Sequence, residues 1–349
     1  MSHTTAIHGD DGVEDTPDIA PPIRVSTTFE RTDQDALVYR RDHHGTTRRL
    51  EAVIGALEGG SAVTYSSGMA ATAAIFGHIQ PSRVSLPDDL YGGTRKLALR
   101  EQTRGRLRVV DATELGEGDI MWVETPSNPK CFVTDIAAAA EAAHAVGAVV
   151  VVDSTFATPV LQQPLALGAD YVMHSTTKFI GGHSDTMGGV LVARTDAEAD
   201  ELAEDRSVDG SIPGSLDAWL ALRGIRTLPV RVERQSATAA VVAQFLNGRV
   251  LATYYPGLDG HPGADIAQRQ MASPGAMVSF EMGSFAEATA VRDRMRVFSN
   301  ATSLGGVESV ADLRFDTDSS APEGLIRCSI GLEDAADLIA DLEQALSSQ

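Results

Sequence analysis

The densest chemistry in this chain surrounds one lysine. Lys178 follows Ser175, Thr176 and Thr177 and is followed, two residues on, by Gly181-Gly182. Small hydroxyls can donate to an anion, and glycines let backbone approach a ligand closely. The 28 basic residues include only the lysines Lys96, Lys130 and Lys178, and neither of the others has such neighbours. Asp153 ends the apolar run VVVVD, so its carboxylate falls at the carboxyl end of a buried strand, where open α/β sheets bind ligands. Taken singly, the lysine reads as a surface charge and the aspartate as a strand-end cap. Together with the hydroxyls they meet the needs of an anionic, amine-reactive cofactor: a lysine to form a Schiff base, hydroxyls for a phosphate, a carboxylate to hold a pyridinium proton. That cofactor is pyridoxal 5′-phosphate.

Three further segments meet the same demand. Tyr65-Ser66-Ser67-Gly68-Met69-Ala70 lies between a strand and a helix, so Gly68 and Met69 offer backbone N–H groups at a helix start. Tyr91 beside Gly92-Gly93 can stack on a flat ring, and Asn128, in the turn of Glu124-Thr125-Pro126-Ser127-Asn128-Pro129, can reach a ring oxygen. A helix cap, a core tyrosine and a proline turn are the ordinary meanings of these segments. What outweighs them is that all fall at strand ends along one sheet edge. No GxGxxG and no GxxxxGK[ST] occurs, which removes the main support for dinucleotide and P-loop readings. The histidines are scattered without HExxH or a His/Cys cluster, so no metal site is expected.

The elements that position these residues alternate. Apolar spacing predicts a helix from Arg48 to Gly59-Gly60, then strand 62–65, helix 67–79, strand 83–86, helix 94–103, and strands 107–110 and 120–124. Helix 135–146 runs into strand 148–153, followed by strands 170–174 and 189–193. Alternation of this kind indicates an α/β fold, a mainly parallel sheet flanked by helices. A helical stretch over 215–247 carries Pro229, which must kink or split it. Beyond it, strands 249–254, 276–282 and 325–330 alternate with helices 264–271, 285–296 and 333–346, as in a smaller α+β C-terminal domain. The expected division is an N-terminal arm over 1–45, a cofactor-binding domain over 46–235 and a C-terminal domain over 236–349.

Composition excludes other classes. A net charge of −20 repels phosphate backbones and anionic lipid surfaces, so neither nucleic acid nor membrane is an expected partner. Two distant cysteines, Cys131 and Cys328, make no disulfide framework, and no basic n-region with an apolar run opens the chain; a cytoplasmic location is expected.

In sequence order the motifs resemble the Cys/Met-metabolism enzymes that use pyridoxal phosphate, among them cystathionine γ-synthase and γ-lyase. The resemblance covers nearly the whole chain: TTAIHGD at 4–10, PPIRVSTTF at 21–29, SSGMAA at 66–71, DDLYGGT at 88–94, ETPSNP at 124–129, VVDSTFATP at 151–159, LGADYVMHSTTKFIGGHSD at 167–185, SLDAWLALRGIRTL at 215–228, SLGGVES at 303–309 and LIRCSIGLED at 325–334. It implies a fold-type I transferase in which Lys178 carries the cofactor and shuttles protons, Asp153 partners the pyridine nitrogen and Tyr91 stacks on the ring. It places Asn128 beside the phenolic oxygen, makes Gly68, Met69, Ser175 and Thr177 the phosphate cradle, and gives Arg327, with Ser303, the substrate α-carboxylate. Tyr39 and Arg41 match a Tyr-x-Arg pair that serves a neighbouring subunit's phosphate, which implies a homotetramer built from dimers with shared sites.

The implied activity is γ-elimination or γ-replacement on a sulfur amino acid or an activated homoserine, as in trans-sulfuration. O-acylhomoserine sulfhydrylase or methionine γ-lyase chemistry stands second, and a catalytically silent cofactor-binding relative third. Departures from the family pattern surround the distal end of the substrate. Residues 43–47 read His-His-Gly-Thr-Thr where Gly-Asn-Pro-Thr-Arg is usual, Lys96 replaces Arg and Thr302 a frequent Glu, and 310–323 lacks the His-Pro and Thr-His elements. Gly93, where methionine γ-lyases carry Cys, argues against that member. The physiological substrate and the balance of elimination against replacement stay open.

Overall fold

The computed structural model describes residues 3–14, 16–30, 38–316 and 321–347. Two sheets organise them. The first contains β1 (Ser61–Tyr65), β2 (Arg83–Ser85), β3 (Arg108–Val110), β4 (Ile120–Glu124), β5 (Val149–Asp153), β6 (Tyr171–His174) and β7 (Gly189–Ala193), in the order β1-β7-β6-β5-β4-β2-β3. Strands β3, β2, β4, β5 and β6 run parallel, while β7 is antiparallel to both of its neighbours. The sheet is thus mainly parallel.

The valine run of β5 explains why this strand is central. Val150, Val151 and Val152 are all fully buried. Val151 packs with the helices Gly68–Ile79 and Gly92–Thr103, and Val150 and Val152 with the helix Ile136–His144 on the opposite face. A strand covered on both faces has no place for polar alternation. Polar residues therefore concentrate at the strand ends, which is where the chemistry lies.

The second sheet holds β8 (Ala252–Tyr254), β9 (Met277–Glu281), β10 (Ser299–Asn300), β11 (Val310–Leu313) and β12 (Leu325–Ser329), in the order β10-β11-β12-β9-β8. Only its β10–β11 pairing is parallel. Its core includes Phe280, Ile326, Leu338 and Leu342, with the helices Phe285–Arg294 and Ala335–Leu346. Pro229 splits the expected long helix into Ser215–Ile225 and Leu228–Leu246, sitting in the first turn of the second, where a missing N–H costs nothing. That second helix runs unbroken across the expected domain boundary at 235/236.

Four elements depart from the sequence reading. The arm carries a short helix, His3–His8, and the next helix begins at Gly45 rather than Arg48. The acidic helix Asp196–Asp209 has no apolar stripe; only Ala199, Leu202 and Arg206 are buried along it. Its signal was the capping box of Thr195 and Glu198. Strand β11 lies in the 310–323 segment, of which 317–320 fall outside the described residues.

Candidate active site

Three parallel strands end side by side, and Glu124, Asp153 and Met173 near their ends build the floor of a cavity. Glu124 of β4 is in register with Asp153 of β5, and Asp153 with Met173 of β6. Just past β6, Ser175 N donates to Thr155 Oγ1 at 2.9 Å, which ties the Lys178 loop to the end of β5. The loop then turns back on itself: Lys178 N donates to Ser175 O, and Gly182 N to Lys178 O. Gly182 has φ +73° and faces the Arg231 guanidinium so closely that a Cβ there would overlap it. Arg231 in turn donates to Gly224 O at 2.8 Å and to Ile180 O at 3.4 Å, clamping the loop from behind.

The cavity, about 680 Å³, is lined by Gly68, Met69, Tyr91, Asn128, Asp153, Ser175, Thr177, Lys178, Ser303 and Arg327. Ten of the twelve residues expected at the site are thereby brought together. Tyr39 and Arg41 are not. Tyr39 lines a separate cavity and Arg41 stacks over its ring at 5.4 Å, both of them exposed.

At one end, the helix Gly68–Ile79 starts beside Ser175. Ser67 caps it by accepting from Ala70 N at 3.0 Å, leaving the first-turn N–H groups of Gly68 and Met69 without an intrahelical acceptor. A Cβ on Gly68 would stand 3.0 Å from both Cβ and Oγ of Ser175. Glycine is what keeps this cradle open. Thr177 Oγ1 donates to Gly188 O at 3.2 Å and accepts from Gly188 N at 3.0 Å, which fixes the hydroxyl at the rim.

On the floor, Asp153 accepts from Thr155 N at 3.0 Å, and burial raises its pKa against that bond. Glu124 accepts from Tyr91 N and Asn128 N, each at 2.9 Å. Burial, and then the Asp153 charge, push its pKa well above the carboxylate range. Two buried carboxylates side by side are destabilised unless a proton or cation joins them. A pyridinium N–H against Asp153 would meet that need.

Opposite, Lys178 Nζ donates to Ser303 Oγ at 2.7 Å. Burial, and secondarily Arg327, lower its pKa to about 8, so its amine is far more often neutral than an exposed lysine's. Arg327 is almost wholly buried on β12. It donates through Nη1 to Asn128 Oδ1 at 2.9 Å, and through Nη2 to Ser303 O at 2.9 Å and Asp312 Oδ2 at 3.0 Å. Its Nε has no hydrogen-bond partner among the described residues, so a donor is left for a ligand. An open cradle, a carboxylate pair short of a positive charge, a low-pKa lysine and an exposed tyrosine ring together fit pyridoxal phosphate.

Sequence reasoning gave no role to Glu124, Thr155, Asp312 or Arg314. The first two stood inside quoted motifs, next to residues that were singled out. Asp312 and Arg314 had no local signal, because their relation to Arg327 exists only once β11 pairs with β12.

Comparison with known proteins matches residues 3–347 to the family described as Cys/Met metabolism PLP-dependent enzyme. The chain is 43% identical to a cystathionine gamma-synthase of Mycobacterium tuberculosis over 93% of its own length and 91% of the relative's. It is 37% identical to a cystathionine gamma-lyase of Bacillus subtilis, with 99% of each covered. Among solved structures, an apo methionine gamma lyase from Micromonospora echinospora superposes with a TM-score of 0.93 at 42% identity, covering 99% of both chains. No helix among the described residues is long and apolar enough to cross a membrane.

Proposed function

From the premise that this chain belongs to the family of Cys/Met metabolism PLP-dependent enzymes, with pyridoxal phosphate as its cofactor, we propose that it catalyses γ-elimination or γ-replacement on a sulfur amino acid or an activated homoserine. The observation that carries this reading is the meeting, in one cavity, of Lys178 and Asp153 from the first sheet with Arg327 from the second. When bound, pyridoxal phosphate supplies an electron sink that acidifies the bonds of the substrate's α-carbon.

The chain's own residues supply the rest. Gly68, Met69, Ser175 and Thr177 hold the phosphate, with the N-terminus of the helix Gly68–Ile79 adding its positive pole. Asp153 holds the proton on the ring nitrogen, Tyr91 covers one ring face, and Asn128 stands beside the phenolic oxygen. Arg327 takes the substrate α-carboxylate through its unpartnered Nε, with Ser303 at the same end. A guanidinium keeps its charge at any working pH, which suits a carboxylate. Lys178 Nζ moves protons between the α- and γ-sides of the substrate; its lowered pKa lets it accept as well as donate near neutral pH.

Release of 2-oxobutyrate from cystathionine, homocysteine and O-acylhomoserines, measured with and without cysteine, tests the reaction class. The expected result is 2-oxobutyrate from at least one of them, or its suppression by cysteine as cystathionine accumulates. Turnover of none of these substrates by cofactor-loaded protein would contradict the proposal.

Tyr39 and Arg41 lie outside their own chain's cavity on an exposed arm, which supports service to a neighbouring subunit's phosphate in a homotetramer built from dimers. Arg41→Ala is expected to weaken cofactor binding by roughly 1.5–3 kcal/mol, a charge-assisted bond. Mixing this variant with inactive Lys178→Ala protein and allowing subunit exchange should restore activity, because one hybrid site then draws intact Lys178 and Arg41 from different chains. Proven exchange without recovery would show that the arm does not complete a neighbour's site.

A further inference from the structure

Two of the proposed cofactor contacts, Tyr91 and Asn128, have no regular secondary structure to hold them. Tyr91 stands just ahead of the helix Gly92–Thr103, and Asn128 lies in a turn between Pro126 and Pro129, neither of which has an N–H to anchor it. One buried carboxylate serves both. Glu124 Oε2 accepts from Tyr91 N and Oε1 from Asn128 N, each at 2.9 Å. Asp89 reciprocates from the Tyr91 side: its Oδ2 accepts from Lys130 N at 3.0 Å and from Ser127 Oγ. Segments 89–91 and 124–130 are thus laced together by one carboxylate from each. A carboxyl keeps a lone pair on both oxygens whether ionised or protonated, so the bonds to Tyr91 and Asn128 survive either state. An amide cannot copy this, because its nitrogen would face one of the two N–H groups donor to donor.

We propose that Glu124 is a positioning residue for the cofactor ring: its carboxylate sets Tyr91 at one ring face and Asn128 at the phenolic oxygen as a single unit, and Asp89 closes the clasp. This rests on the reading above, in which Tyr91 and Asn128 contact the cofactor. Asn128 Oδ1 is taken by Arg327 Nη1 at 2.9 Å, so the group Asn128 has left for the phenolic oxygen is its amide N–H. A donor there favours the oxygen's negative charge, which lowers the pH at which the proton shared with the Lys178 nitrogen leaves. Glu124 has a rival role, as a second negative charge beside Asp153, its register partner. The two roles differ in what a shorter acid does, since aspartate at this position keeps the charge but loses the reach.

The test reads two properties of each holoenzyme: the pH midpoint of the visible absorption change of bound pyridoxal phosphate, and the cofactor's dissociation constant. Glu124→Gln and Glu124→Asp are both expected to raise the midpoint by about one pH unit and to weaken cofactor binding about tenfold, the scale of one charge-assisted contact. A wild-type midpoint and affinity in Glu124→Asp would show that charge, not the clasp, is at work and would overturn the proposal. A lowered midpoint in either variant would overturn it too. Asp89→Ala cuts the other half of the clasp at a half-buried position and leaves Glu124 in place, so it tests the proposal even where the Glu124 variants do not fold. It should raise the midpoint and weaken binding about threefold; wild-type values there would likewise overturn the proposal. Asn128→Ala separates the two levels, and is expected to raise the midpoint by itself. If it does not, Asn128 is not beside the phenolic oxygen and the reading of the site is at fault. If it does while both Glu124 variants keep the wild-type midpoint, only the role of Glu124 fails.

Discussion

Lys178→Ala is expected to abolish turnover, by more than ~10⁴-fold, while leaving the fold intact. The size follows from the two tasks placed on one nitrogen, holding the cofactor and moving the substrate's protons. Lys178 is the only lysine in the loop proposed to bind the phosphate: Lys96 lines the same cavity from the helix Gly92–Thr103, away from that loop, and Lys130 Nζ lies over the rings of Phe132 and Tyr254. The structural cost is small. The side chain is half-buried and gives up one hydrogen bond, to Ser303, worth ~0.5–1.5 kcal/mol net. Removing an amine whose pKa is depressed by burial also removes a desolvation penalty, which offsets part of that loss. Activity assays with thermal melts of the same sample check both halves; residual turnover well above about 0.01% of wild type would contradict the assignment.

Asp153→Asn is expected to lower kcat/KM by on the order of 10²–10³-fold, the scale of a single electrostatic group facing developing charge. A neutral amide cannot hold the ring nitrogen's proton, and the electron sink weakens without it. The same substitution should not destabilise the cofactor-free protein. Asn can still accept from Thr155 N, as Asp153 does. The sign of the stability change follows from the raised pKa. A carboxylate whose pKa rises on folding stabilises the fold while protonated, below its unfolded value near pH 4, and that contribution is lost as pH rises through the folded value. Near neutral pH an ionised Asp153 beside Glu124 therefore costs stability, and the amide removes the cost. The expected signature is a large fall in activity with an equal or higher Tm for the apoprotein. Near-normal kcat/KM would refute the role of Asp153, and a sharp loss of apoprotein stability would make its contribution structural.

These two residues were legible in the sequence for a physical reason. Strands buried on both faces read as unbroken valine runs, so the polar residues that follow them, Asp153 and Ser175 to Lys178, stand out as sheet-edge groups. Gly68 was legible because it opens a helix directly after a strand, whereas the close approach of Ser175 that its missing side chain admits was not. Arg327 was not visible in this way. It sits within an ordinary-looking strand far along the chain, and only family resemblance marked it. Asp312 and Arg314 were beyond either route. Their segment departs from the family pattern, and the contact to Arg327 is set by cross-strand register, which sequence spacing does not encode. The helix Asp196–Asp209 was missed because its stability comes from caps and a few buried side chains rather than from an apolar stripe. Tyr39 and Arg41 were marked by family resemblance alone, as serving a neighbouring subunit's phosphate, and within one chain Tyr39 lines a separate cavity and both are exposed.

The most direct measurement of the central claim is covalent trapping. Purified protein loaded with pyridoxal phosphate is reduced with borohydride, digested, and the modified peptide sequenced by mass spectrometry. The account predicts one pyridoxyl group per chain, on Lys178, in the peptide that contains Ser175-Thr176-Thr177 and Gly181-Gly182. A pyridoxyl group on Lys96 or Lys130, or none in protein that still turns over its substrate, would contradict it.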